Sequence, residues 1–327
     1  MSSLIGNSTG EEESDMKDRK VAVVGIGATG AVLAAALLEK YPDSILVDPK
    51  PGWAESLTKK GISVSGQITY GVQVRHVVSS IEEMKALSPD LIFVCTKTFH
   101  LQKVLEELKG LVKPGTKIIS THNGLGTEDV VAEEFGAEAA FRMSLNYGVA
   151  LKAPGEVEVA FFNRPNYLGA LTEDNRELGQ EIARALTEGG LDTQYVDDIK
   201  LHVWKKMIHK CSLSSICAVT DRSIGEILDY PPAREIADAC FKEAMAVSKA
   251  MGYDLGENYL ETSMGYLEKA KAHKDSMCYD LANKTPTEID FLGGKIVEYG
   301  RAKGVSTPYF VTMTNLVKAL EDSYLSE

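Results

Sequence analysis

Residues 20–25, Lys-Val-Ala-Val-Val-Gly, form a short apolar run that ends in Gly25-Ile26-Gly27-Ala28-Thr29-Gly30, and the Ala/Leu-rich stretch Ala31 to Leu38 follows at once. Successive β-branched residues suit a strand buried on both faces, and the stretch that follows suits a helix. The G-x-G-x-x-G between them is weak as a string but constrains a great deal in this setting. Its first glycine permits a tight turn. Its second lets an anionic group approach the backbone, its third lets helix and strand pack closely, and the helix N-terminus offers N–H donors to the anion. The arrangement predicts a dinucleotide-binding Rossmann unit that holds its ligand through Gly25, Gly27, Ala28, Thr29 and Gly30.

The rest of the first half supports such a unit. Ser44 to Val47, Asp90 to Cys95 and Lys117 to Ser120 read as further short strands, with helical stretches such as Leu101 to Leu108 between them. Alternation of this kind predicts a parallel α/β sheet with right-handed crossovers. After about Ala139 the pattern changes. Phe141 to Val149, Val157 to Phe162 and Tyr167 to Leu171 read as strands joined by turns such as Ala153-Pro154-Gly155, and they are expected to extend the sheet in antiparallel fashion. Asn175 to Glu188 reads as a helix closed by Gly189-Gly190. From about Ile199 the sequence is helical to its end. The expected fold class is α/β, an N-terminal Rossmann-type parallel sheet with an antiparallel extension, plus an all-helical C-terminal domain. Residues 1–19 read as a flexible tail, 20–195 as the dinucleotide-binding domain and 196–327 as a helical domain for substrate and dimerisation.

Charge narrows the partners. A net charge of −12 disfavours nucleic acid and anionic membranes, which need a basic footprint. No apolar run approaches the ~20 residues of a membrane span. The cysteines Cys95, Cys211, Cys217, Cys240 and Cys278 are odd in number and include no C-x-x-C pair, which predicts free thiols in a reducing cytoplasm and no metal site. The expected partners are a small anionic substrate and, through the helical half, a second copy of the chain in a homodimer. On so acidic a protein, an anionic substrate needs local lysines.

Two places offer chemistry. Asp48 ends the second strand, 18 residues beyond Gly30. A carboxylate there accepts from both ribose hydroxyls and repels a 2′-phosphate, which favours NAD(H) over NADP(H). Lys50 pulls slightly the other way, and a turn-forming Asp before Pro49 is the bland alternative. In the second half, Trp204-Lys205-Lys206-Met207-Ile208-His209-Lys210-Cys211 lies in a predicted helix. His202, Lys206, Lys210 and Ser214 share one stripe at spacing i, i+4. That stripe is either a solvated face or a cationic wall beside an anionic substrate, where a lysine serves as a general acid. Farther on, Thr287-Glu288 after Pro286 reads as a capped helix start.

These segments together resemble the ketopantoate reductase (2-dehydropantoate 2-reductase) family from Lys20 to about Leu320. The matching pieces are the Gly25–Gly30 loop, Cys95-Thr96-Lys97, His122-Asn123-Gly124-Leu125-Gly126, Pro154-Gly155-Glu156, Trp204-Lys205-Lys206, and Ser276-Met277 followed by Thr287-Glu288-Ile289-Asp290. The resemblance implies that Lys206 is the catalytic lysine, which protonates the ketone oxygen as hydride arrives. It implies that Glu288 binds substrate and helps orient that lysine, and that Ser276 holds the substrate carboxylate. Thr96, Lys97 and Asn123 would line the cofactor side of the cleft, and Asn123 would also belong to the catalytic set with Lys206 and Glu288. Lys210, one turn beyond Lys206, is expected to bind substrate because a second ammonium on the stripe needs an anion, and Ser214 is expected on the same substrate side. Characterised family members carry asparagine where this chain has Lys210 and Ser214, and a further asparagine at Ile224. Many favour NADPH through a basic residue near the position of Asp48. The expected activity is the interconversion of a 2-oxo acid and a 2-hydroxy acid. The alternatives are an NAD-dependent D-2-hydroxy acid or opine-type dehydrogenase with a different substrate, and a cofactor-binding sensor without catalysis.

Overall fold

The computed structural model describes residues 19–272 and 274–326. The tail expected over residues 1–19 lies outside them except for Arg19. The run over 20–25 forms β1 (Val21–Val24), all four residues buried, and the Ala/Leu-rich stretch forms α1 (Ala28–Lys40). β2 (Ile45–Val47), α2 (Trp53–Lys60), β3 (Ile62–Gly66), β4 (Tyr70–Val72), β5 (His76–Val78), α3 (Ile81–Lys85), β6 (Leu91–Val94), α4 (Leu101–Leu108), β7 (Lys117–Ser120), α5 (Thr127–Phe135) and β8 (Ala140–Ser144) follow. Next come β9 (Tyr147–Ala153), β10 (Glu156–Phe162), β11 (Asn166–Ala170), α6 (Arg176–Glu188) and β12 (Thr193–Tyr195).

The main sheet runs β12-β11-β8-β7-β6-β1-β2-β5. It is parallel from β5 through β8, and β11 then joins β8 in antiparallel fashion. Alternate residues of its central strands feed two cores. Val21, Val23, Leu91 and Phe93 face α1, while Ala22, Val24, Ile92 and Val94 face Leu101, Leu105 and Val131 of α4 and α5. Helices on both faces explain why these strands read as continuous apolar runs.

The antiparallel extension is smaller than the sequence suggests. Of the three segments expected to provide it, only β11 does. The stretch Phe141 to Val149 breaks at Leu145-Asn146, so that β8 stays in the main sheet, parallel to β7. β9 and β10 enter a second sheet of order β4-β3-β10-β9. The reason lies in β10, where exposed Glu156 and Glu158 alternate with buried Val157 and Val159. A strand with charges on one face cannot sit in a sheet covered on both sides. Its apolar face joins the core built on α1.

From Ile199 every described element is helical: α7 (Ile199–Thr220), α8 (Ile224–Asp229), α9 (Pro231–Ala250), α10 (Tyr259–Lys269), α11 (Ser276–Ala282), α12 (Gly293–Lys303) and α13 (Pro308–Leu325). α7 is unbroken over 22 residues and is capped by Asp198, which accepts from the Leu201 N–H. One core joins α7 to α9, α12 and α13 and takes in Leu125 from the loop after β7. No described helix is long and apolar enough to cross a membrane.

Candidate active site

The glycine-rich loop leaves β1 at Gly25, whose φ is +91°. A Cβ there would stand 2.9 Å from the Thr96 nitrogen, so the loop can lie against the end of β6 only as glycine. A Cβ on Gly30 would run into the Gly25 carbonyl, which fixes α1 against the turn. Gly27 differs, because a Cβ on it would meet nothing within 4 Å. It caps α1 without a side chain, and the first turn carries no acidic residue. The first helical bond runs from the Ala31 N–H to the Gly27 carbonyl. The amides of Ala28, Thr29 and Gly30 therefore lack intrahelical acceptors, and the space over Gly27 is open, an arrangement that suits a pyrophosphate. Ala28 and Thr29 are half-buried, as the rim of such a cradle should be.

Asp48 follows β2 and is almost fully buried. Its Oδ2 accepts from the Ile26 N–H at 2.8 Å and its Oδ1 from the Lys50 N–H at 3.1 Å. The carboxylate thus tethers the glycine-rich loop to the end of β2. Lys50 lies over the Trp53 ring, 4.5 Å from its centroid.

Thr96 and Lys97 follow β6, and Asn123 follows β7, at the carboxyl ends of parallel strands where ligands of such sheets bind. The Thr96 hydroxyl lies 3.3 Å from Nε2 of the buried His122, whose Nδ1 lies 2.9 Å from Ser120 Oγ. Burial and the nearby Arg142 push the His122 pKa down to about 3, so this imidazole is neutral.

α7 brings Lys206 into the same crevice. Its Nζ donates to Asn123 Oδ1 at 2.8 Å and to the Leu145 carbonyl at 2.5 Å. Leu145 lies at the break between β8 and β9, so its carbonyl has left the sheet ladder and is free to accept. Both partners are neutral, and little offsets the cost of burying the ammonium. Burial, with the charges of Arg142 and Lys210, lowers the Lys206 pKa to about 7, and Glu288 opposes the fall.

One turn farther along α7, Lys210 donates to Asp275 Oδ2 at 3.0 Å and to Ser276 Oγ at 3.1 Å. Asp275 caps α11 by accepting from the Met277 N–H. Burial works against charge on both groups. Their mutual attraction outweighs it, raising the Lys210 pKa and lowering that of Asp275, with the buried Ser214 also favouring the carboxylate. The fourth member of the stripe, His202, lies against the Tyr167 ring at 4.1 Å between centroids. The stripe is therefore neither a solvated face nor a bare cationic wall. Each lysine has its own internal partners.

Glu288 closes the site from the helical half. Its Oε1 accepts from the Thr98 N–H at 3.0 Å, and its Oε2 lies 3.6 Å from Lys97 Nζ. Lys97 also reaches both oxygens of Asp280, at 3.0 and 3.2 Å. Burial raises the Asp280 pKa despite that ammonium. The helix start expected at Thr287-Glu288 is instead a single 3-10 turn, Ile289–Phe291, with α12 opening at Gly293. Thr287 Oγ1 accepts from the Ile289 N–H, and the Phe291 carbonyl accepts from the Leu125 N–H. The turn arises because the backbone here docks on the loop after β7. A Cβ at Gly124 would lie 2.8 Å from Phe291 Cβ.

The structure thus brings Lys97, Asn123, Lys206, Lys210, Ser276 and Glu288 to one cleft beside the glycine-rich loop. It places Ser214 beneath them, buried, and commits Asp48 to the loop backbone. The sequence reading missed Asp275, Asp280, Arg142 and the Leu145 carbonyl. Only Asp275 carried a signal, as a helix-capping Asp directly before Ser276.

A glycine-rich turn at a helix N-terminus, beside a lysine held by Asn123 and Leu145, suits a nicotinamide-dependent oxidoreductase. The comparisons give the same class and a family. Residues 21–173 match the model described as ketopantoate reductase PanE/ApbA, and residues 198–321 match its C-terminal counterpart. The chain is 28% identical over 303 residues to a 2-dehydropantoate 2-reductase of Streptococcus pyogenes serotype M3, covering 92% of this chain and 97% of that one. A solved ternary structure of D-mandelate dehydrogenase with NADH and anilino(oxo)acetate superposes with a TM-score of 0.83 at 25% identity, over 93% of this chain and 99% of the other. The fold is likewise that of 2-dehydropantoate 2-reductase from Geobacter metallireducens, with a TM-score of 0.83 at 24% identity over 92% and 99% of the two chains. The chain belongs to the ketopantoate reductase PanE/ApbA family and is an NAD(P)-dependent reductase.

Proposed function

We propose that the chain interconverts a 2-oxo acid and its 2-hydroxy acid with NAD(H), and that Lys206 is the proton donor. The observation that carries this reading is the half-buried Lys206, its ammonium held between Asn123 and Leu145 and its pKa lowered to about 7. A general acid is most effective when its pKa lies near the working pH. The Gly25–Gly30 loop would hold the dinucleotide, which when bound would supply the hydride. Lys206 gives its proton to the ketone oxygen as negative charge builds there, and its amine is then neutral; in the reverse direction the neutral amine removes the proton. Asn123 keeps Nζ aimed at the reacting oxygen. Ser276 and Lys210 bind the substrate carboxylate, and Glu288 borders the substrate while its charge partly offsets the fall in the Lys206 pKa.

Asp48 favours NADH over NADPH in this reading, because a 2′-phosphate would approach a buried carboxylate. The substrate is either ketopantoate, as named for the curated relatives, or a 2-oxo acid with a bulkier side chain. The Lys210–Asp275 pair favours the second, since it replaces the amide of characterised ketopantoate reductases with a neutralised ion pair. A sensor without catalysis needs no buried lysine of lowered pKa. NADH and NADPH oxidation measured against a panel of 2-oxo acids, including ketopantoate and phenylglyoxylate, tests the proposal. Turnover of at least one acid is expected, faster with NADH, and no turnover of any acid overturns it.

A further inference from the structure

Arg142 is the largest fully buried side chain among the described residues. It sits on β8, opposite Ser120 of β7 in the parallel register, and points behind the loop that follows β7. Both of its Nη atoms are engaged by hydrogen bonds, while Nε faces Glu128 as an ion pair without a hydrogen bond. Nη1 donates to the Ser120 carbonyl at 3.2 Å, and Nη2 donates to the carbonyls of His122 at 2.6 Å and Gly124 at 3.0 Å. Nε lies 3.2 Å from Oε2 of Glu128, itself buried in the first turn of α5. The two carbonyls on Nη2 flank Asn123. One planar fork therefore fixes the backbone on either side of the residue whose side-chain oxygen receives Lys206. Three residues along the same chain, Leu145 supplies the other acceptor for Lys206.

The geometry points to Arg142, braced by Glu128, as a positioning residue for proton transfer: it sets the His122–Gly124 turn so that Asn123 and Leu145 hold the Lys206 ammonium at the cleft. A lysine could not replace it, because a point charge on a flexible stem cannot hold two carbonyls at a fixed angle. Its charge acts as well, since after burial it is the largest influence lowering the Lys206 pKa. The inference rests on the reading of Lys206 as proton donor, so its test includes a readout that needs no substrate.

Arg142→Lys removes the fork and keeps the charge. In protein shown by thermal melting to be folded, kcat for the best 2-oxo acid should fall on the order of 10- to 100-fold, as for a small misplacement of a reacting group. KM for NADH should hold. In an Asn123→Ala background the same change should cost several-fold less, because the larger part of its effect runs through Asn123. Arg142→Gln combined with Glu128→Gln removes both charges. There the pH midpoint for acetylation of the Lys206 amine by acetic anhydride, read by peptide mass spectrometry, should move upward from about 7. Full kcat in folded Arg142→Lys, or an equal loss with and without Asn123, overturns the inference. So does an unmoved acetylation midpoint, which also decides the matter if Arg142→Lys fails to fold. Absence of turnover by the unaltered protein counts against the functional proposal alone, since the acetylation midpoint is read without substrate.

Discussion

Lys210 and Asp275 form an ion pair across the cleft, Nζ to Oδ2 at 3.0 Å, between the middle of α7 and the cap of α11. Two lysines one turn apart on a helix repel unless something neutralises one of them. From sequence that something is expected to be the substrate. In the fold it is already Asp275. The distinction changes the experiment that probes specificity at this position.

Lys210→Asn alone should be a destabilising change, because it strands a buried carboxylate. Loss of one partner of such a pair costs ~3 kcal/mol or more. Lys210→Asn with Asp275→Ser should recover most of that loss. Only the double variant then reports on specificity: its kcat/KM for ketopantoate should rise relative to this protein's own best substrate. Thermal melts and two-substrate kinetics check both parts. A single variant as stable as the double would show that the stranded Asp275 carboxylate costs nothing.

The pH profile should reflect Lys206. With cofactor and substrate saturating, reduction requires the ammonium, so kcat should fall as pH rises through about 7. Oxidation of the hydroxy acid requires the free amine and should gain over the same interval. Lys206→Ala should lower kcat by two or more orders of magnitude, the usual scale for removing a general acid, and leave NADH affinity nearly unchanged. Opposed limbs in the two directions, measured in one buffer series, are the signature. Parallel limbs would exclude Lys206 as their source.

Asp48→Asn should erode coenzyme preference. The amide keeps an acceptor for the Ile26 N–H and loses the charge that repels a 2′-phosphate. The ratio of kcat/KM for NADH to that for NADPH should fall about tenfold, the equivalent of ~1.4 kcal/mol. Both values should drop somewhat, because Asp48 also tethers the glycine-rich loop. A ratio that does not move would mean that the coenzyme is chosen elsewhere.

His122 should make the protein acid-sensitive. Its pKa is about 3 in the folded state and ~6.5 when unfolded. Between those values the unfolded chain binds a proton that the native chain refuses, so stability falls as pH drops from 6.5 toward 3. The loss from this residue is ~1.4 kcal/mol per pH unit within the window. His122→Gln should flatten the urea-midpoint profile there, and an equally steep profile would assign the sensitivity to other groups.

The glycine-rich loop, the parallel core and the helical second half are legible in the sequence because each is a local pattern: a run of β-branched residues, three spaced glycines, a helical period. Lys206 and Asn123 are legible as motifs. Their contact is not, since it joins residues 83 positions apart through a carbonyl freed at Leu145. The second sheet is obscured because β3 and β4 are short and half exposed, and β3 pairs with a strand more than ninety residues away. Arg142 carries no local signal. Only the register of β8 on β7 turns it inward beneath the loop.

Two hydrogen bonds described above, from the Thr98 N–H to Glu288 and from the Leu125 N–H to the Phe291 carbonyl, lie side by side across the boundary between the sheet half and the helical half. Together they act as rivets between the segment that carries Glu288 and the loops that follow β6 and β7. The spacing between the cofactor side and the substrate side of the site is thus set in part by main-chain groups, and not by side-chain rotamers alone.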